Sequence, residues 1–223
     1  MATLLLRLAA PLQSWGSDSK FETRKTERVP TKSGVIGLLA AALGLRRDDA
    51  AGLARLNRLR FAVRADRGGS LLVDFHTAKS SGGTSYITYR HYLQDAVFLA
   101  GVESDDEALL RELENALRHP AYPLYLGRRS CPPTLPLCLG VRQGPLLAVL
   151  QAEPLLAKGN GAEQMVIVAD ADPTDTAAVP QRDLAISFSP KHREFGFRPV
   201  REWRMPQTKM PEQTEHDAMA ELR

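Results

Sequence analysis

The feature that most constrains this chain is a run of twelve residues without a charged or polar side chain, Gly34–Leu45. Its composition predicts a helix that is apolar nearly all round, and such a helix belongs in a protein interior. Ser33 is predicted to cap its N-terminus, and Gly44 is expected to end it. The apolar run Thr3–Leu8, closed by Pro11, predicts a buried strand. Hydrophobic residues make up 43% of the 223 residues, which is enough to build a core around both elements.

Further helices and strands follow the first helix. Asp48 or Asp49 is expected to cap the second helix, and Ser104 with Glu107 forms the capping box of the third. The buried face of this third helix is predicted from four leucines, Leu109, Leu110, Leu113 and Leu117. The predicted elements are, in order, a helix ending near Leu56, a strand at Leu59–Ala65, a strand at Gln94–Val102, a helix at Asp105–Arg118 and a strand near Leu135–Val141.

Residues 67–92 differ from the segments on either side. Gly68-Gly69 and the run Ser80-Ser81-Gly82-Gly83 are typical of flexible turns between strands. Strand-like segments, Leu71–His76 and Ser85–Tyr89, accompany them. This arrangement favours a long β-hairpin that protrudes from the domain over an element packed in the core.

Without the hairpin, the order of elements is βαββαβ, which is typical of a ferredoxin-like or RRM-like α+β domain. Further strands are predicted at Leu146–Ala152, Gln164–Ala169 and Asp183–Ser189, and they suggest a smaller β-rich C-terminal lobe. We therefore expect an RRM-like domain at 1–145 with the hairpin at about 67–92. The β-rich lobe is expected at 146–210 and a flexible acidic tail at 211–223.

The net charge is only +3 and the isoelectric point is about 9.0, a balance that allows an acidic partner without requiring one. Three stretches are basic, at residues 1–32, 119–145 and 190–210. They either converge on one polyanion or lie on three solvated surfaces that never meet. Charge alone favours the second interpretation.

Cys131 and Cys138 fit neither a disulfide framework nor a paired Cys-x-x-Cys metal site. A reducing cytosol is the simplest context for such a chain. The apolar start has no basic leader and is too short to span a membrane. We therefore expect a cytoplasmic protein with no membrane partner.

Two segments have the chemistry of phosphate binding. Thr31-Lys32-Ser33-Gly34 opens the first helix, where free amides, two hydroxyls and a lysine meet. The simpler interpretation, an ordinary serine cap beside a surface lysine, is the more frequent one. Gly127-Arg128-Arg129-Ser130 places two adjacent arginines in a loop stiffened by the prolines that follow. Such a pair suits phosphates and bases, and it suits the carboxylates of a neighbouring protein equally well.

Aromatic residues offer weaker signals. Trp15, beside Gln13, either stacks on a base or, more often, anchors the core. The predicted hairpin interleaves cations with aromatic rings, as a finger that binds single strands does, although any hairpin pairs such residues across its strands. The residues that form this pattern are His76, Lys79, Tyr86, Tyr89, Arg90, His91 and Tyr92, and the candidate contacts among them are His76, Lys79, Tyr86 and Arg90.

The histidines do not form a catalytic or metal-binding pattern. They are His76, His91, His119, His192 and His216, and none pairs with another at metal-ligand spacing. Lys191-His192 could assist metal-free RNA cleavage, but an ordinary basic turn after Pro190 is the simpler interpretation. The sequence therefore predicts no cofactor, no metal and no catalytic residues.

Three blocks of sequence together resemble the CasD family, the guide-end subunits of type I-E CRISPR Cascade complexes in the RAMP superfamily. They are Leu4–Gly16 (LLLRLAAPLQSWG), Pro30–Gly44 (PTKSGVIGLLAAALG) and Tyr125–Pro132 (YLGRRSCP). The likeness runs from about Leu4 to about Trp203. It implies an RRM-like RAMP domain whose hairpin forms a thumb.

The resemblance also implies a function, which is to hold the 5′ handle of the CRISPR RNA without cutting it. The implied partners are that RNA, the Cascade backbone subunit and the large PAM-reading subunit, with target DNA engaged indirectly in antiviral defence. The thumb would lie where handle meets spacer. The residues expected to contact RNA are Gln13, Trp15, Arg24, Thr31, Lys32, Ser33, Gly34, His76, Lys79, Tyr86, Arg90, Gly127, Arg128, Arg129 and Ser130.

Two other functions stay open. A related subunit of type I-C systems cleaves repeat RNA without metal, so the alternative is a metal-independent endoribonuclease. The Tyr, Lys and His set of that enzyme has no match in position here. The third function is a protein-interaction wedge whose RNA contacts are incidental.

Overall fold

The computed structural model describes residues 1–16, 19–20, 22–79, 82–83, 85–157 and 164–206. The helices in this part of the chain are α1 (Lys32–Leu43), α2 (Ala50–Asn57), α3 (Glu107–Arg118) and α4 (Leu146–Ala152). The strands are β1 (Ala2–Ala9), β2 (Leu12–Gln13), β3 (Ser19–Lys20), β4 (Thr23–Arg24), β5 (Arg60–Arg67), β6 (Ser70–Lys79), β7 (Ser85–Gln94), β8 (Val97–Ser104), β9 (Cys138–Gln143), β10 (Gln164–Asp170), β11 (Val179–Phe188) and β12 (Arg193–Pro206). The predicted acidic tail at 211–223 lies outside the described residues.

Seven strands form one large sheet in the order β11-β12-β10-β5-β8-β1-β9. Every pairing along this order is antiparallel. β1 lies between β8 and β9, and its register with β8 runs from Ala2 opposite Ser104 to Ala9 opposite Val97. The protein is therefore a mixed α/β fold built on a large antiparallel sheet.

The two faces of this sheet are covered by different helices. Leu4, Leu6 and Leu8 of β1 belong to one hydrophobic cluster with residues of α1, α2 and α3. Leu5, on the other face, belongs to a second cluster with residues of α4, such as Leu150. Because both faces are buried, β1 reads as a continuous apolar run instead of alternating with polar residues.

The burial of α1 is confirmed, but its cap differs from the prediction. Thr31 has extended backbone angles, and its hydroxyl accepts a hydrogen bond from the Gly34 amide at 3.2 Å. Thr31 is thus the N-cap, and Ser33 lies inside the first turn. Gly44 ends the helix in the left-handed conformation, with φ of 76°, as predicted.

Other boundaries also differ in detail. The capping box predicted for α3 is wrong, because Asp106 caps the helix by accepting the Leu109 amide at 3.0 Å. The four leucines predicted for its buried face are buried. The strand predicted at Gln94–Val102 spans a turn at Asp95, whose φ of 55° separates β7 from β8.

The prediction of a strand at Leu146–Ala152 is wrong, because this segment is helix α4. Its buried residues Leu146, Val149 and Leu150 have helical spacing, yet a short apolar run fits a buried strand equally well. The buried carboxylate of Glu103 accepts the Leu146 amide at 2.5 Å and thereby satisfies a free amide of the first helical turn.

The C-terminal strands continue the main sheet. β10 pairs with β5 from Val166 opposite Ala65 to Ala169 opposite Ala62. β12, which was not predicted, lies between β10 and β11. The sheet thus runs across the boundary that the sequence suggested at residue 145, and the segment expected to form a separate lobe is hydrogen-bonded to the N-terminal part.

Four charged side chains join the start of α1 to these added strands. Arg198 of β12 donates to both carboxylate oxygens of Asp183, at 2.6 and 2.8 Å, and to Asp170 at 2.5 Å. Lys32 contacts Asp170 through its ammonium group and Asp183 through its amide, both at 2.8 Å. We call these four residues the internal charge network. All of its charged groups are paired, as buried charges must be.

We predict that Asp183→Ala lowers the free energy of unfolding by about 3–5 kcal/mol, because it removes one of the two buried carboxylates and leaves Asp170 alone to balance Arg198 and Lys32. The measurement is urea unfolding at neutral pH. The matched control is Glu202→Ala, which removes an ion pair with Arg204 in which both side chains are exposed. This variant should lose less than about 1 kcal/mol of unfolding free energy. Equal losses in the two variants would contradict a structural role for the network.

Candidate nucleic-acid interface

The predicted hairpin is present. β6 and β7 pair from Ser70 opposite Gln94 to Lys79 opposite Ser85. The second edge of β7 is held near its C-terminal end, where β2 pairs at Leu93 and β4 pairs at Tyr89. Beyond Tyr89 towards the tip, the described neighbour of β7 is β6 alone, so the outer part of the hairpin stands away from the larger sheet.

One face of the hairpin is apolar and exposed. Residues directly opposite in an antiparallel pair share a face, so Phe75 with Tyr89, and Thr77 with Ile87, line the same side. Phe75 is 68% exposed, and Tyr89 and Ile87 are each 48% exposed. Val73 continues this side and is half exposed. Contiguous apolar surface of this kind marks a surface that another molecule covers.

The opposite face of the hairpin carries three of the four predicted contacts. His76 lies opposite Thr88, Tyr86 opposite Ala78, and Arg90 opposite Asp74. The Nε2 atom of His76 lies 2.7 Å from a carboxylate oxygen of Asp74. Lys79 alone lies on the apolar side, near the tip. The hairpin thus presents one polar and one apolar face.

The loop 127–130 packs against the segment that follows β1. Leu126 accepts a hydrogen bond from the Ser14 amide at 3.1 Å, and the Ser14 hydroxyl donates to the His91 carbonyl of β7 at 3.2 Å. Gly127 has a φ of +87°, and a Cβ there would lie 1.6 Å from the Ser14 carbonyl oxygen. Only glycine fits this position. The loop is therefore fixed to the base of the hairpin.

The two arginines of this loop are in different environments. The Arg128 guanidinium lies 4.5 Å from the centre of the Tyr92 ring, and its Nη2 donates to the Arg24 carbonyl at 2.7 Å. This stacking holds Arg128 in one orientation. Arg129 is exposed, and no described residue forms a hydrogen bond or ion pair with it. Ser130 is also exposed.

Arginines from three segments meet at the base of the hairpin. The parallel pairing of β4 with β7 sets Arg24 beside Arg90, and Arg128 is bonded to the backbone of Arg24. We call Arg24, Arg90, Arg128 and Arg129 the arginine cluster. Two of the three basic stretches of the sequence thus converge, whereas the third lies in and before β12, across the sheet.

Gln13 and Trp15 are core residues. The Gln13 amide donates to the carbonyls of Leu8 and Ala96 at 3.1 and 2.8 Å, and its oxygen accepts the Trp15 indole N–H at 3.1 Å. Trp15 is 1% exposed and packs on Gly34 of α1. Neither side chain has surface available for a base, which corrects their prediction as RNA contacts.

The predicted phosphate site at the start of α1 is also corrected. Thr31, Lys32 and Ser33 are buried, and the anion that the helix start binds is the carboxylate of Asp183. Lys32 is paired with Asp170. These groups are satisfied inside the protein, so this segment positions the core.

Three residues absent from the predicted contacts belong to this surface. Tyr92 orients Arg128, and Val73 and Phe75 build the apolar face. The alternation of Leu71, Val73 and Phe75 along β6 was the available signal for that face. Nothing in the sequence placed Tyr92 under an arginine 36 positions away, because that contact depends on the tertiary fold.

The remaining reactive groups do not suggest a catalytic centre. Burial raises the pKa of the Cys131 and Cys138 thiols, which disfavours the reactive thiolate. No three His, Cys, Asp or Glu side chains gather as metal ligands would within the described ranges. In the same part of the chain, no helix is long and apolar enough to cross a membrane.

Comparison with known proteins identifies the family to which the chain belongs. The family model described as CRISPR-associated protein (Cas_Cas5) matches residues 3–201. The chain belongs to this Cas5 family. It is 42% identical over 173 residues to the CRISPR system Cascade subunit CasD of Escherichia coli (strain K12), an alignment covering 68% of this chain and 77% of that protein.

Two solved structures are similar to this Cas5 family member over nearly its whole length. A crystal structure of a Cas protein is 40% identical with a TM-score of 0.75, covering 94% of this chain and 97% of that one. A chain of a CRISPR RNA-guided surveillance complex is 32% identical with a TM-score of 0.78, covering 99% and 97%. The large sheet with few helices is therefore the fold of this family.

We predict that Gly127→Ala destabilises the protein more than Gly83→Ala does. Both glycines have nearly the same positive φ, +87° and +86°, but a Cβ at Gly83 would meet no atom within 4 Å. The control therefore carries only the conformational cost of about 1–2 kcal/mol, whereas Gly127→Ala adds the clash with the Ser14 carbonyl. Thermal unfolding of both variants measures the difference, and equal melting temperatures would show that the loop is not fixed as described.

Proposed function

We propose that this chain is a non-catalytic RNA-binding subunit of a type I-E CRISPR surveillance complex, and that it holds the 5′ handle of the guide RNA. The observation that carries the proposal is the arginine cluster at the base of an exposed hairpin. Membership of the Cas5 family supports it, as do the Cascade subunit and the surveillance-complex chain that this chain resembles.

The sheet supports an RRM-like core of the RAMP type. β1, α1, β5, β8, α3 and β9 follow the order βαββαβ, and their strands are adjacent as β5-β8-β1-β9. α1 and α3 share one hydrophobic cluster on the same face. β10 to β12 extend this core beyond β5. The hairpin between β5 and β8 is the proposed thumb.

The arginine cluster would divide the work of holding RNA. Arg128 is stacked on Tyr92 and bonded to the Arg24 backbone, so it orients the loop and supplies a fixed positive charge. Arg129 is exposed and free to form the planar, forked hydrogen bonds that guanidinium makes with phosphate. Arg24 and Arg90 add charge along the same path. The proposed role of this group is to grip the phosphate backbone of the handle.

The thumb would work beside this grip. Its apolar face offers Phe75 and Tyr89 as exposed rings, which suit stacking against unpaired bases. Tyr86 and Arg90 lie on the opposite, polar face of the hairpin. In the complex, the thumb would lie where handle meets spacer and contact the backbone subunit. The large PAM-reading subunit and, indirectly, target DNA complete the proposed partners.

Catalysis by this chain is not proposed. His76 and His91 lie on opposite faces of the hairpin, as their partners Thr88 and Val73 indicate. His192 lies before β12 and is paired with Glu194 at 3.0 Å. The described histidines therefore do not form the acid and base pair that metal-independent RNA cleavage needs.

We predict that Arg129→Ala reduces the log–log salt slope of handle binding by about 0.7, the value for one phosphate contact on a single strand. Because the exposed Arg129 forms no hydrogen bond or ion pair with a described residue, the melting temperature of the variant should not change. Arg128→Ala should lower both the slope and the melting temperature. Fluorescence anisotropy of labelled handle RNA at several salt concentrations measures the slope, and a gel of the recovered RNA should show it uncut.

The matched control is Arg58→Ala, an exposed arginine after α2 whose loss should leave the slope unchanged. If Arg129→Ala and Arg58→Ala behave alike, Arg129 does not bind phosphate. If the recovered RNA is cut at a specific position in EDTA, the non-catalytic function is wrong.

We predict that a shortened thumb keeps the fold but loses assembly. Replacing residues 76–88 by Asn-Gly joins Phe75 to Tyr89, which lie opposite each other, through a two-residue turn. The pairing of β7 with β2 and β4 remains, so the melting temperature should stay within a few degrees. Co-purification with guide RNA and the backbone subunit should fall. If the shortened variant unfolds, the hairpin contributes to the core and the topology is wrong. If the variant assembles normally, the hairpin does not act as a thumb.

A further inference from the structure

The outer strand of the hairpin, β6, has one edge without a partner strand. β6 has ten residues and pairs with β7 along its whole length. On its other edge, which we call the free edge, no strand pairs with it within the described ranges. Proteins ordinarily protect such an edge with a proline, a bulge or a covering segment. β6 contains no proline, and its register with β7 runs without a bulge.

The hydrogen bonds of β7 show which backbone groups of β6 face the free edge. The Tyr89 amide donates to the Glu22 carbonyl at 2.7 Å, so it points away from β6. Two residues opposite each other in an antiparallel pair direct their backbone groups either towards each other or both outward. Phe75, which lies opposite Tyr89, therefore directs its amide and carbonyl to the free edge. By alternation, the same holds for Leu71, Val73, Thr77 and Lys79.

Two further contacts agree with this orientation. The His91 carbonyl, opposite Val73, accepts the Ser14 hydroxyl at 3.2 Å and so points away from β6. The His76 carbonyl accepts the hydroxyl of Thr88 on β7 at 3.2 Å and so points the other way. The five residues that face the free edge all have exposed side chains. The free edge is therefore a row of accessible amides and carbonyls beside an apolar face.

The free edge is complementary to a second copy of itself. In an antiparallel pair of two β6 strands centred on Phe75, Val73 lies opposite Thr77, and Asp74 lies opposite His76. The symmetry thus places a carboxylate opposite an imidazole twice, and oppositely charged or hydrogen-bonding pairs in these positions stabilise a sheet. The two Phe75 rings meet at the centre, where an aromatic pair adds to the apolar contact.

We propose that two copies of the chain pair through β6 when it is outside a complex, and form a dimer with a two-fold axis at Phe75. Such an interface uses the same surface on both copies. Only another peptide strand carries donors and acceptors in the alternation that the free edge requires, because the phosphates of a nucleic acid only accept. The dimer does not depend on the handle-binding function.

The first test is sedimentation equilibrium of the full chain without RNA over a range of concentrations. The wild type should pass from monomer to dimer as the concentration rises. Thr77→Pro removes an amide that faces the free edge and leaves the ladder between β6 and β7 intact. It should raise the dissociation constant of the dimer by about tenfold or more, because both copies lose a hydrogen bond. Thr77→Ala keeps the amide and is the matched control.

The second test fixes the register by oxidative cross-linking. Phe75→Cys should form a disulfide-linked dimer, because the two central residues lie about 5.5 Å apart between their Cα atoms. Val73→Cys is the control, since its counterpart in the other copy is displaced by four residues, about 13 Å along the strand. Equal cross-linking of the two variants would overturn the proposed register.

A charge exchange keeps the proposal testable if Thr77→Pro does not fold. His76→Asp places two carboxylates opposite each other and should weaken the dimer, and adding Asp74→His should restore it. A chain that is monomeric at every concentration would overturn the proposal, as would equal effects of Thr77→Pro and Thr77→Ala. A monomeric chain whose β6 amides exchange slowly with deuterium only after RNA or the backbone subunit is added would assign the free edge to that partner instead.

Discussion

The internal charge network is the interaction on which the arrangement of this protein depends. The amide of Lys32 at the start of α1 and the guanidinium of Arg198 share one buried carboxylate, that of Asp183. Asp170, at the end of β10, pairs with both Lys32 and Arg198. Its carboxylate also accepts a hydrogen bond from the Phe61 amide of β5 at 2.8 Å. The added strands are thereby fixed against the central helix. Buried charges tolerate few geometries, so the network specifies how the C-terminal strands dock.

The same network explains why RNA binding has to be sought elsewhere. A helix start, a lysine and two hydroxyls are a recipe for phosphate, and the chain already supplies the anion from Asp183. What remains for a partner is the charge that the protein leaves uncompensated. Arg129 has no described counter-charge, and Arg128 is oriented by a ring instead of a carboxylate. The position of a cation along the sequence is therefore less informative than its pairing in the fold.

The sequence predicts what local patterns determine. The apolar composition of α1 predicts its burial, and the spacing of the leucines predicts the buried face of α3. The glycine and serine runs predict the hairpin. All three elements are present. Helix α4 was mistaken for a strand because a short run of seven residues, all apolar except Gln151, fits both periods. The role of Lys32 could not be predicted, since its partner Asp183 is 151 residues away. Tyr92 under Arg128 has the same origin, a contact that only the assembled sheet creates.

The hairpin and the arginine cluster also depend on each other. Gly127 can approach the Ser14 carbonyl only because it has no Cβ, and Ser14 in turn is bonded to β7 through His91. The loop, the segment after β1 and the base of the hairpin are therefore fixed to one another. The apolar face of the hairpin is exposed to water, although monomeric proteins rarely leave a contiguous apolar surface uncovered. This surface is the physical basis of the proposed function, because fixed cations beside uncovered rings suit a partner that brings phosphates and flat apolar groups together, as a single RNA strand does.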